Sequence, residues 1–436
     1  MTTPPFRLLS LPVVSWALYD LANTIFSFSI GSAYFNPWVI VDKDKGGNPD
    51  WYLAAMTAVV TVLLVLSMPV FGALADRAGR RKPFLIGFTV VSVAATMALG
   101  FVDSTLGALV LAGIGIFGFQ SALAHYDPML ATVAPPERQG SVSGFGVGIG
   151  YVGSFIALFV LGAIVGEQGD KQLAFLPTGI MYLVFSLPIV LFVHERVARN
   201  DHEPSSFRDV AVAAMGQLGR SIRHLGDFRD IGRLLLARFL YVDALAVVIL
   251  YMSIYIARLE AFSDFQTKLM LGLAIIAAIP GAMVAGRIVE RVGPKRVLVT
   301  VIAAFGLAIL IEALSGSPAF MWIAAPVLGV SLGAVWTSDR VFMLRLTPPS
   351  ARGEFFGLYN LIGKVSSAVG PIIWGATLFL LHDRSGAMTK LDASRVALVA
   401  LVGLAAVGLW VLKPLSDRQR EWPDDPLIAD VAAVPA

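Results

Sequence analysis

Between two long apolar runs, the chain reads Gly72-Ala-Leu-Ala-Asp76-Arg77-Ala-Gly79-Arg80-Arg81-Lys82. The same spacing returns 214 residues later as Gly286-Arg-Ile-Val-Glu290-Arg291-Val-Gly293-Pro294-Lys295-Arg296. A second pair of segments, 135–140 and 348–353, repeats at an offset of 213 residues. Two turns that repeat in step predict that the chain is two copies of one unit, each with a short charged turn between two membrane helices.

The composition favours a membrane protein. Hydrophobic residues make up 57% of the chain and charged residues only 14%, whereas a soluble globular chain carries about 25% charged residues. The net charge is only +3, and the basic residues fall between apolar runs, which indicates a topology signal rather than a nucleic-acid surface. Because the chain has no cysteine, disulfides, cysteine-ligated zinc and thiol catalysis are excluded, and no cofactor is expected.

A spanning helix needs about 20 mostly apolar residues, and on this rule the sequence predicts twelve spans, six in each copy. The predicted fold class is therefore an all-α membrane protein of two pseudo-symmetric six-helix bundles. The predicted spans are 12–40, 52–75, 83–102, 106–131, 142–166, 173–193, 232–257, 267–289, 297–315, 319–346, 355–381 and 394–413.

The predicted domains are an N-terminal bundle at 1–193, a cytoplasmic linker at 194–231, a C-terminal bundle at 232–413 and a cytoplasmic tail at 414–436. Inside the linker, 207–225 mixes apolar and basic residues, which is typical either of an amphipathic helix on the inner leaflet or of a tether. The tail is predicted to be disordered.

Lysine and arginine are divided unevenly between the two sets of loops. One set carries 22 of them and the other carries 8, with Arg238, Arg340 and Lys364 left inside spans. Since positively charged loops stay in the cytoplasm, both termini are predicted to be cytoplasmic. The expected location is a bacterial inner membrane, and the expected form is a monomer.

Residues 72–82 resemble the signature loop of the major facilitator superfamily, whose pattern Gly-x-x-x-Asp-Arg-x-Gly-Arg-Arg they match in full. The resemblance implies two six-helix bundles, with Asp76 close to the start of the eleventh helix, where it helps to latch the outward-facing state. A carboxylate is favoured at a helix N-terminus. The alternative is that the positive charges of the loop only keep it on the cytoplasmic side, and that its glycines only serve the turn. The candidate gating residues of the two turns are Asp76, Arg77, Arg80, Glu290 and Arg291.

A narrower resemblance is to the vacuolar amino-acid effluxer-like (autophagy-related) branch of that superfamily. The segments that carry it are Trp16 to Phe26, Leu240-Tyr241-Val-Asp243, and Arg340 to Pro371 with Glu354-Phe355-Phe356-Gly357 and Gly363-Lys364. The chain departs from the branch at Trp336, Asp339 and Ala244, where Gln, Ser and Gly are usual. These departures fall on cavity-facing positions by the same resemblance, so the branch's substrate does not carry over.

Ionisable groups at the centre of a bilayer cost about 2.5–3.5 kcal/mol each on insertion scales, so they are candidate functional residues. Here the polar residues concentrate on spans 1, 4, 7 and 10, the helices that line the central cavity in the superfamily. Asp20 and Asn23 share a helix face, and Asp243 takes the corresponding place in the second copy. These acids either bind a cation or proton, or are held structurally by Arg238 or by backbone groups.

Other candidates would contact the solute directly. Lys364 lies near the middle of span 11, where it either contacts an anionic substrate or snorkels toward an interface, and aromatic residues can stack on the solute. The complete set of candidate substrate-binding or coupling residues is Tyr19, Asp20, Asn23, Gln120, Tyr241, Asp243, Trp336 and Lys364.

Asp127 and Arg340 occupy equivalent places in the two copies, near the predicted cytoplasmic ends of their spans. They are predicted to form a charge pair that closes the inner gate and that Asp339 joins, or else a fixed pair within one half. With Arg238, these residues complete the candidate gating charges. Glycines 144, 146, 148, 150 and 153 of span 5 predict close helix packing where the halves move.

Neither a catalytic constellation nor metal-ligand spacing occurs in the sequence, so no enzyme is predicted. The predicted function is secondary active transport, by symport or antiport, of an amino acid or another carboxylate-bearing metabolite, with proton-coupled export. Three alternatives stay open: sodium- or proton-coupled uptake of a sugar or glycoside, flipping of a lysolipid or amphiphile, and a non-transporting receptor or scaffold. The predicted partners are the small-molecule substrate, a proton or sodium ion, and the bilayer, with no nucleic acid.

Overall fold

The computed structural model describes residues 6–43, 49–166, 169–195, 228–315, 317–366 and 369–422, and every regular element within these ranges is helical. Twelve of the described helices are long and apolar enough to cross a membrane. They are α1 Leu11–Ile40, α2 Trp51–Ala78, α3 Lys82–Leu99, α4 Thr105–Val133, α5 Pro136–Val165, α6 Lys171–Phe192, α7 Arg229–Arg258, α8 Phe265–Val292, α9 Pro294–Ser315, α10 Pro318–Leu346, α11 Pro349–Arg384 and α12 Lys390–Leu412.

The twelve predicted spans and the all-α fold class are confirmed, with ends that differ by a few residues. Span α5 begins earlier than predicted, because Pro136 opens a helical turn before the apolar run. The interval 207–225 lies outside the described residues, as do most of the predicted linker and the tail beyond residue 422.

The two repeated turns end helices in the same way. Gly79 follows α2 with φ +60°, and Gly293 follows α8 with φ +96°. Side-chain-bearing residues rarely adopt this left-handed region, whereas glycine enters it freely. The second glycine of each turn is therefore required by the backbone, which explains why both copies contain it.

The chain divides into two compact units. Unit 1 comprises Met1–Ile222, Thr347–Asn360 and Glu421–Ala436, and unit 2 comprises Arg223–Leu346 and Leu361–Arg420. The first turns of α11 therefore group with unit 1, whereas the rest of α11 groups with unit 2. The domain boundaries predicted from the sequence stay a prediction.

Helix pairing within unit 1 is repeated within unit 2. In unit 1, α1 packs on α6, α2 on α4, and α3 on both α4 and α6. In unit 2, the helices six places later make the same pairs: α7 with α12, α8 with α10, and α9 with both α10 and α12. This agreement is what a duplicated six-helix unit requires.

The glycines of α5 serve packing within unit 1. A Cβ at Gly153 would lie 2.6 Å from the Leu21 carbonyl oxygen, and Gly146 and Gly150 face Trp16 and Thr24 of the same helix α1. Small residues let membrane helices touch backbone to backbone. At these three positions the glycines face a helix of their own unit, and the prediction that the run lies where the halves move stays a prediction.

A carboxylate that follows the sixth helix of each copy caps the third helix of that copy. The Glu195 carboxylate accepts hydrogen bonds from the Arg81 and Lys82 amides at 2.9 Å. Asp417 accepts one from the Lys295 amide at 2.6 Å. The corresponding lysines reach back to main-chain oxygens, Lys82 to that of Val193 and Lys295 to that of Leu415. In each copy, the cap therefore joins the segment after the sixth helix to the start of the third helix.

Replacement of Asp417 by alanine is expected to lower the free energy of unfolding by about 0.5–2 kcal/mol, the usual effect of losing a helix cap. The α9 N-terminus then loses its acceptor, and Glu195→Ala has the same effect on α3. Thermal unfolding of the purified protein, followed by tryptophan fluorescence, measures both changes. The control is Glu421→Ala, at an exposed position. If Asp417→Ala and Glu195→Ala were as stable as this control, the capping role would be contradicted.

Candidate functional site

Asp76 lies at the N-terminus of α11. Its Oδ1 accepts the Gly353 amide at 2.9 Å, its Oδ2 accepts the Glu354 amide at 3.1 Å, and the Arg81 guanidinium approaches Oδ1 at 2.5 Å. All of these residues belong to unit 1. The carboxylate thus meets two unsatisfied amides and the positive end of a helix dipole, and both favour a negative charge there.

Two glycines make this approach possible. A Cβ at Gly72 would lie 2.6 Å from the Gly353 carbonyl oxygen, and a Cβ at Gly353 would lie 2.6 Å from the Gly72 carbonyl oxygen. Real Cβ atoms essentially never come so close to a backbone oxygen, so both positions exclude any side chain.

The other charges of the two turns are less enclosed. Arg77, Arg80 and Arg291 are exposed, and Glu290 is half-buried. Asp76 forms an ion pair with Arg81, a neighbour of the named candidates that sequence reasoning did not single out. A role for these residues in gating stays a prediction.

The interior of unit 1 holds a hydrogen-bonded polar group around α1. The Tyr19 hydroxyl lies 2.6 Å from Thr89 Oγ1, and the Tyr182 hydroxyl donates to Asn23 Oδ1 at 3.2 Å. The Asn23 Nδ2 group is buried and makes no hydrogen bond with the described residues. Asn23 is therefore a side chain in unit 1 that keeps an unused donor inside the fold.

Aromatic rings fill the rest of this interior. Trp16 stacks on Tyr126 with ring centroids 4.8 Å apart, and Tyr19 contacts the same ring at 4.8 Å. Tyr19 is only 1% exposed, so its ring packs inside unit 1 in this conformation, and stacking of Tyr19 on the solute stays a prediction. Asp20, the next residue, is also buried and lies against Gly146 of α5.

The candidates of α4 have different surroundings. Gln120 is half-buried. His125 is buried, and its ring lies parallel to that of Phe88 at 6.0 Å. Asp127 is buried, and its Oδ2 accepts a hydrogen bond from Asn360 Nδ2 at 2.9 Å, within unit 1. A charge pair between Asp127 and Arg340 stays a prediction.

In unit 2, Arg238 of α7 forms a buried ion pair with Asp339 of α10. The guanidinium also lies over the Trp336 ring, 5.9 Å from its centroid. Gly363 of α11 completes the surroundings, since a Cβ there would lie 3.1 Å from an Arg238 nitrogen. The observed partner of Asp339 is therefore Arg238 of the same unit, and a role for Asp339 beside Asp127 and Arg340 stays a prediction.

Asp243 of α7 contacts the backbone of α11 within unit 2. Its Oδ1 accepts the Gly370 amide at 2.6 Å. Its Oδ2 is buried and makes no hydrogen bond with the described residues. Of the two structural partners predicted for Asp243, the backbone is therefore the one observed.

The remaining candidates of unit 2 differ in exposure. Tyr241 is fully buried in this conformation, and stacking of its ring on the solute stays a prediction. Trp336 and Lys364 are half-buried, and Arg340 is 8% exposed. In the sequence of α11, Lys364 directly follows Gly363, the glycine beside Arg238.

Several residues of these sites were not among the sequence candidates: Thr89, Tyr182, Asn360 and Gly370. Tyr182 lies in an otherwise apolar span, and the rule that singled out Tyr19 would also have found it. Among the described residues, no group of three or more His, Asp or Glu side chains lies close enough together to hold a metal ion.

A family model, the Major Facilitator Superfamily, matches residues 20–371 and also residues 234–429. The chain belongs to the Major Facilitator Superfamily. The family resemblance carried by the turn at 72–82 is therefore confirmed, as is the predicted absence of enzyme activity, because members of this superfamily are multi-pass membrane transporters of small molecules.

Relatives in the superfamily cover nearly the whole chain. The uncharacterized MFS-type transporter YxiO of Bacillus subtilis is 27% identical over 427 residues, 94% of this chain and 97% of that protein. Autophagy-related protein 22 of Pichia angusta is 25% identical over 399 residues, 76% of this chain and 70% of that protein, which confirms the narrower resemblance.

The solved structures agree with the fold. The crystal structure of the human organic anion transporter MFSD10 matches 94% of this chain and 100% of its own length, with a TM-score of 0.69 and 16% identity. At 16% identity, this likeness shows only that the two proteins share a fold.

Proposed function

We propose that this transporter moves a small polar solute with a carboxylate group, such as an amino acid, out of the cytoplasm by proton-coupled alternating access. In this mechanism the substrate site is opened to one side of the membrane at a time. Export rests on the resemblance to the autophagy-related branch. We also propose a bacterial inner-membrane location, cytoplasmic termini and a monomeric transporter.

One observation carries the proposal: ionisable side chains of both signs lie inside the units rather than at the lipid face. Asp20 is 8% exposed, Asp243 and Asp339 are 0% exposed, and Arg238 is 5% exposed. Charges kept inside a membrane protein, at the cost of their hydration, are functional candidates by default.

The cations of unit 2 favour an anionic solute. Arg238 is held by Asp339 and by the face of Trp336, and the half-buried Lys364 is only one residue away from the Gly363 contact. A guanidinium is suited to a carboxylate because its donors match the two oxygens. Because the charge of Arg238 is already paired with Asp339, Lys364 would supply the further positive charge for the solute.

The solute class is tested by a thermal-shift screen of amino acids, other carboxylates and sugars on the purified protein. A ligand at 100 times its dissociation constant stabilises the protein by about 2.7 kcal/mol. Shifts from carboxylates support the proposal, whereas shifts from sugars alone contradict it.

Asp20→Asn is expected to remove the dependence of solute flux on an imposed pH gradient while leaving the fold intact, because the amide cannot exchange a proton. The measurement uses proteoliposomes that hold the solute found in the screen, with a pH-sensitive dye inside. Asp103→Asn, at an exposed position of the same unit, is the control. Unchanged pH dependence of the flux in Asp20→Asn would exclude Asp20 as the coupling site. Stimulation of the flux by sodium at constant pH would show that sodium, and not the proton, is the coupling ion.

A further inference from the structure

A guanidinium at one end of unit 2 is held in place by side chains from two other helices. Arg258 is the last residue of α7, and its Nη1 donates a hydrogen bond to Ser394 Oγ of α12 at 2.5 Å. The central carbon of the guanidinium also lies 5.9 Å from the centre of the Trp374 ring of α11. Arg258 therefore lies where three helices of unit 2 meet, at the end opposite the Gly293 turn.

The side chains that hold Arg258 are themselves fixed. Ser394 is 0% exposed and Trp374 is 4% exposed. The Ser394 hydroxyl donates its own proton to the Lys390 carbonyl oxygen at 2.6 Å, which leaves its oxygen free to accept from Arg258. The Trp374 ring stacks on that of Tyr251, with centroids 5.1 Å apart. The guanidinium is therefore kept in one orientation by groups that have little room to move.

Among the described residues, Arg258 has no carboxylate partner. Its contacts there are the neutral hydroxyl of Ser394 and an aromatic face. The nearby acid of α12, Asp392, is already used, because it pairs with Arg395 at 3.1 Å and accepts a hydrogen bond from the Thr389 hydroxyl. Arg258 is only half-buried, and Ser394 takes just one of the several N–H donors of a guanidinium. An anion from outside the protein can therefore reach the others.

The surroundings of Arg258 suit the headgroup region of a bilayer. Tryptophan and tyrosine, here the stacked Trp374 and Tyr251, are enriched where a membrane meets water. Ile254 lies one helical turn from Arg258 on the same face of α7. Exposed apolar residues occur near this end on all three helices, namely Ile254, Phe379 and Val396. A ligand with an anionic head and apolar chains therefore matches this surface in both of its parts.

We propose that Arg258 is the phosphate-binding residue of a phospholipid site on unit 2. The guanidinium donates to two oxygens of the headgroup phosphate, an arrangement that its planar fork of donors favours. The acyl chains lie along Ile254 and the other exposed apolar residues. Ser394 and Trp374 are positioning residues, because they act through the guanidinium. In the topology predicted from the sequence, the site belongs to the leaflet that faces away from the cytoplasm.

A phospholipid fits this site better than a soluble anion does. A soluble carboxylate or phosphate would be bound by the charge of Arg258 alone, and contacts between half-exposed charges are weakened by water and salt. A phospholipid adds the burial of its acyl chains against the exposed apolar residues, which strengthens binding with every methylene covered.

Binding is measured by native mass spectrometry of the full chain in a neutral detergent, titrated with phosphatidylglycerol. Arg258→Gln is expected to weaken the affinity for the first bound lipid by about tenfold or more, because the charged hydrogen bonds to the phosphate are lost. Arg384→Gln removes an exposed arginine of the same unit and is expected to bind as the wild type does. Equal affinity of the two variants for the lipid would overturn the proposal.

Two fragments of the lipid identify the part that the site recognises. Diacylglycerol with the same chains lacks the phosphate, and glycerol phosphate lacks the chains. Neither is expected to displace phosphatidylglycerol at the same concentration. Displacement by glycerol phosphate would assign the site to a soluble oxyanion, and displacement by diacylglycerol would show that the phosphate is not recognised. Either result would overturn the phospholipid site.

Thermal unfolding separates lipid recognition from a purely structural role of Arg258. Added phosphatidylglycerol is expected to raise the Tm of the wild type and of Arg384→Gln, but not that of Arg258→Gln. If Arg258 only held α7 to α12, Arg258→Gln would be less stable but would gain the same increase in Tm from the lipid.

Ser394→Ala tests the positioning of the guanidinium, because it keeps the charge and removes the acceptor that orients it. Its affinity for phosphatidylglycerol is expected to be about three- to tenfold weaker than that of the wild type. Unchanged affinity would contradict the positioning role. Since no solute or flux is measured, these results are independent of the proposed transport function.

Discussion

Gly353→Ala is expected to lower the stability of the transporter and its solute flux, whereas the same substitution four residues later, Gly357→Ala, is expected to be neutral or mildly stabilising. The two positions lie on the same helix and lose the same conformational freedom. Replacing a helical glycine by alanine ordinarily stabilises a helix by about 0.5–1 kcal/mol. The difference in stability between the two variants therefore measures the contact that Gly353 makes with Gly72.

The cause is the space around each glycine. A Cβ at Gly353 would lie 2.6 Å from the Gly72 carbonyl oxygen and 2.8 Å from Asp76 Oδ1, whereas a Cβ at Gly357 would lie 3.4 Å from the Met68 carbonyl oxygen. A backbone oxygen cannot turn aside as a side chain can. The start of α11 must then shift, which also stretches the two hydrogen bonds that Asp76 accepts. Overpacking of this kind costs about 1–3 kcal/mol.

Amide hydrogen exchange gives the most direct measurement. The Gly353 and Glu354 amides are protected by Asp76, so in Gly353→Ala the peptide containing them should exchange faster. Gly357→Ala should retain the wild-type exchange rate, and Asp76→Asn should resemble Gly353→Ala. If Gly353→Ala kept both protection and stability, the close approach of Gly72 and Gly353 would have no energetic significance.

The repeated turns show how far the sequence alone reaches. The spacing of glycine, acid and basic residues predicts a helix junction, and both turns contain the left-handed glycine that such a junction needs. It does not predict which of three arginines pairs with Asp76. Successive residues at a helix end point in directions that depend on where the helix stops, and the structure stops it so that Arg81 faces the carboxylate.

The pairing of buried charges was the less predictable part. The repeat offset places Asp127 and Arg340 at equivalent positions, but it carries no information about side-chain direction. Asp339 pairs with Arg238 because α7 and α10 belong to one unit. Glu312 likewise looks like an ordinary span-end charge in the sequence. It is buried inside unit 2, and burial of this kind depends on contacts between distant parts of the chain.

The second large effect is expected at the ion pair of Arg238 with Asp339, whose side chains are 6% and 0% exposed. Arg238→Gln is expected to destabilise the protein by about 3–5 kcal/mol, because it leaves an unpaired carboxylate in the interior. Arg233→Gln is the matched control on the same helix. Arg233 is 45% exposed and lies 3.8 Å from Asp230, and such surface pairs contribute less than about 1 kcal/mol.

The double variant Arg238→Gln with Asp339→Asn separates the structural role from the functional one. Both charges are gone, so most of the lost stability is expected to return, as measured by thermal unfolding of the three variants in a double-mutant cycle. Flux is then measured on the stable double variant. Loss of flux at restored stability means that Arg238 acts on the solute, whereas recovery of both means that the pair only holds α7 to α10. Since the guanidinium is paired with Asp339 and lies over the Trp336 ring, the cation is already fixed in place before any solute arrives, and we expect the first outcome.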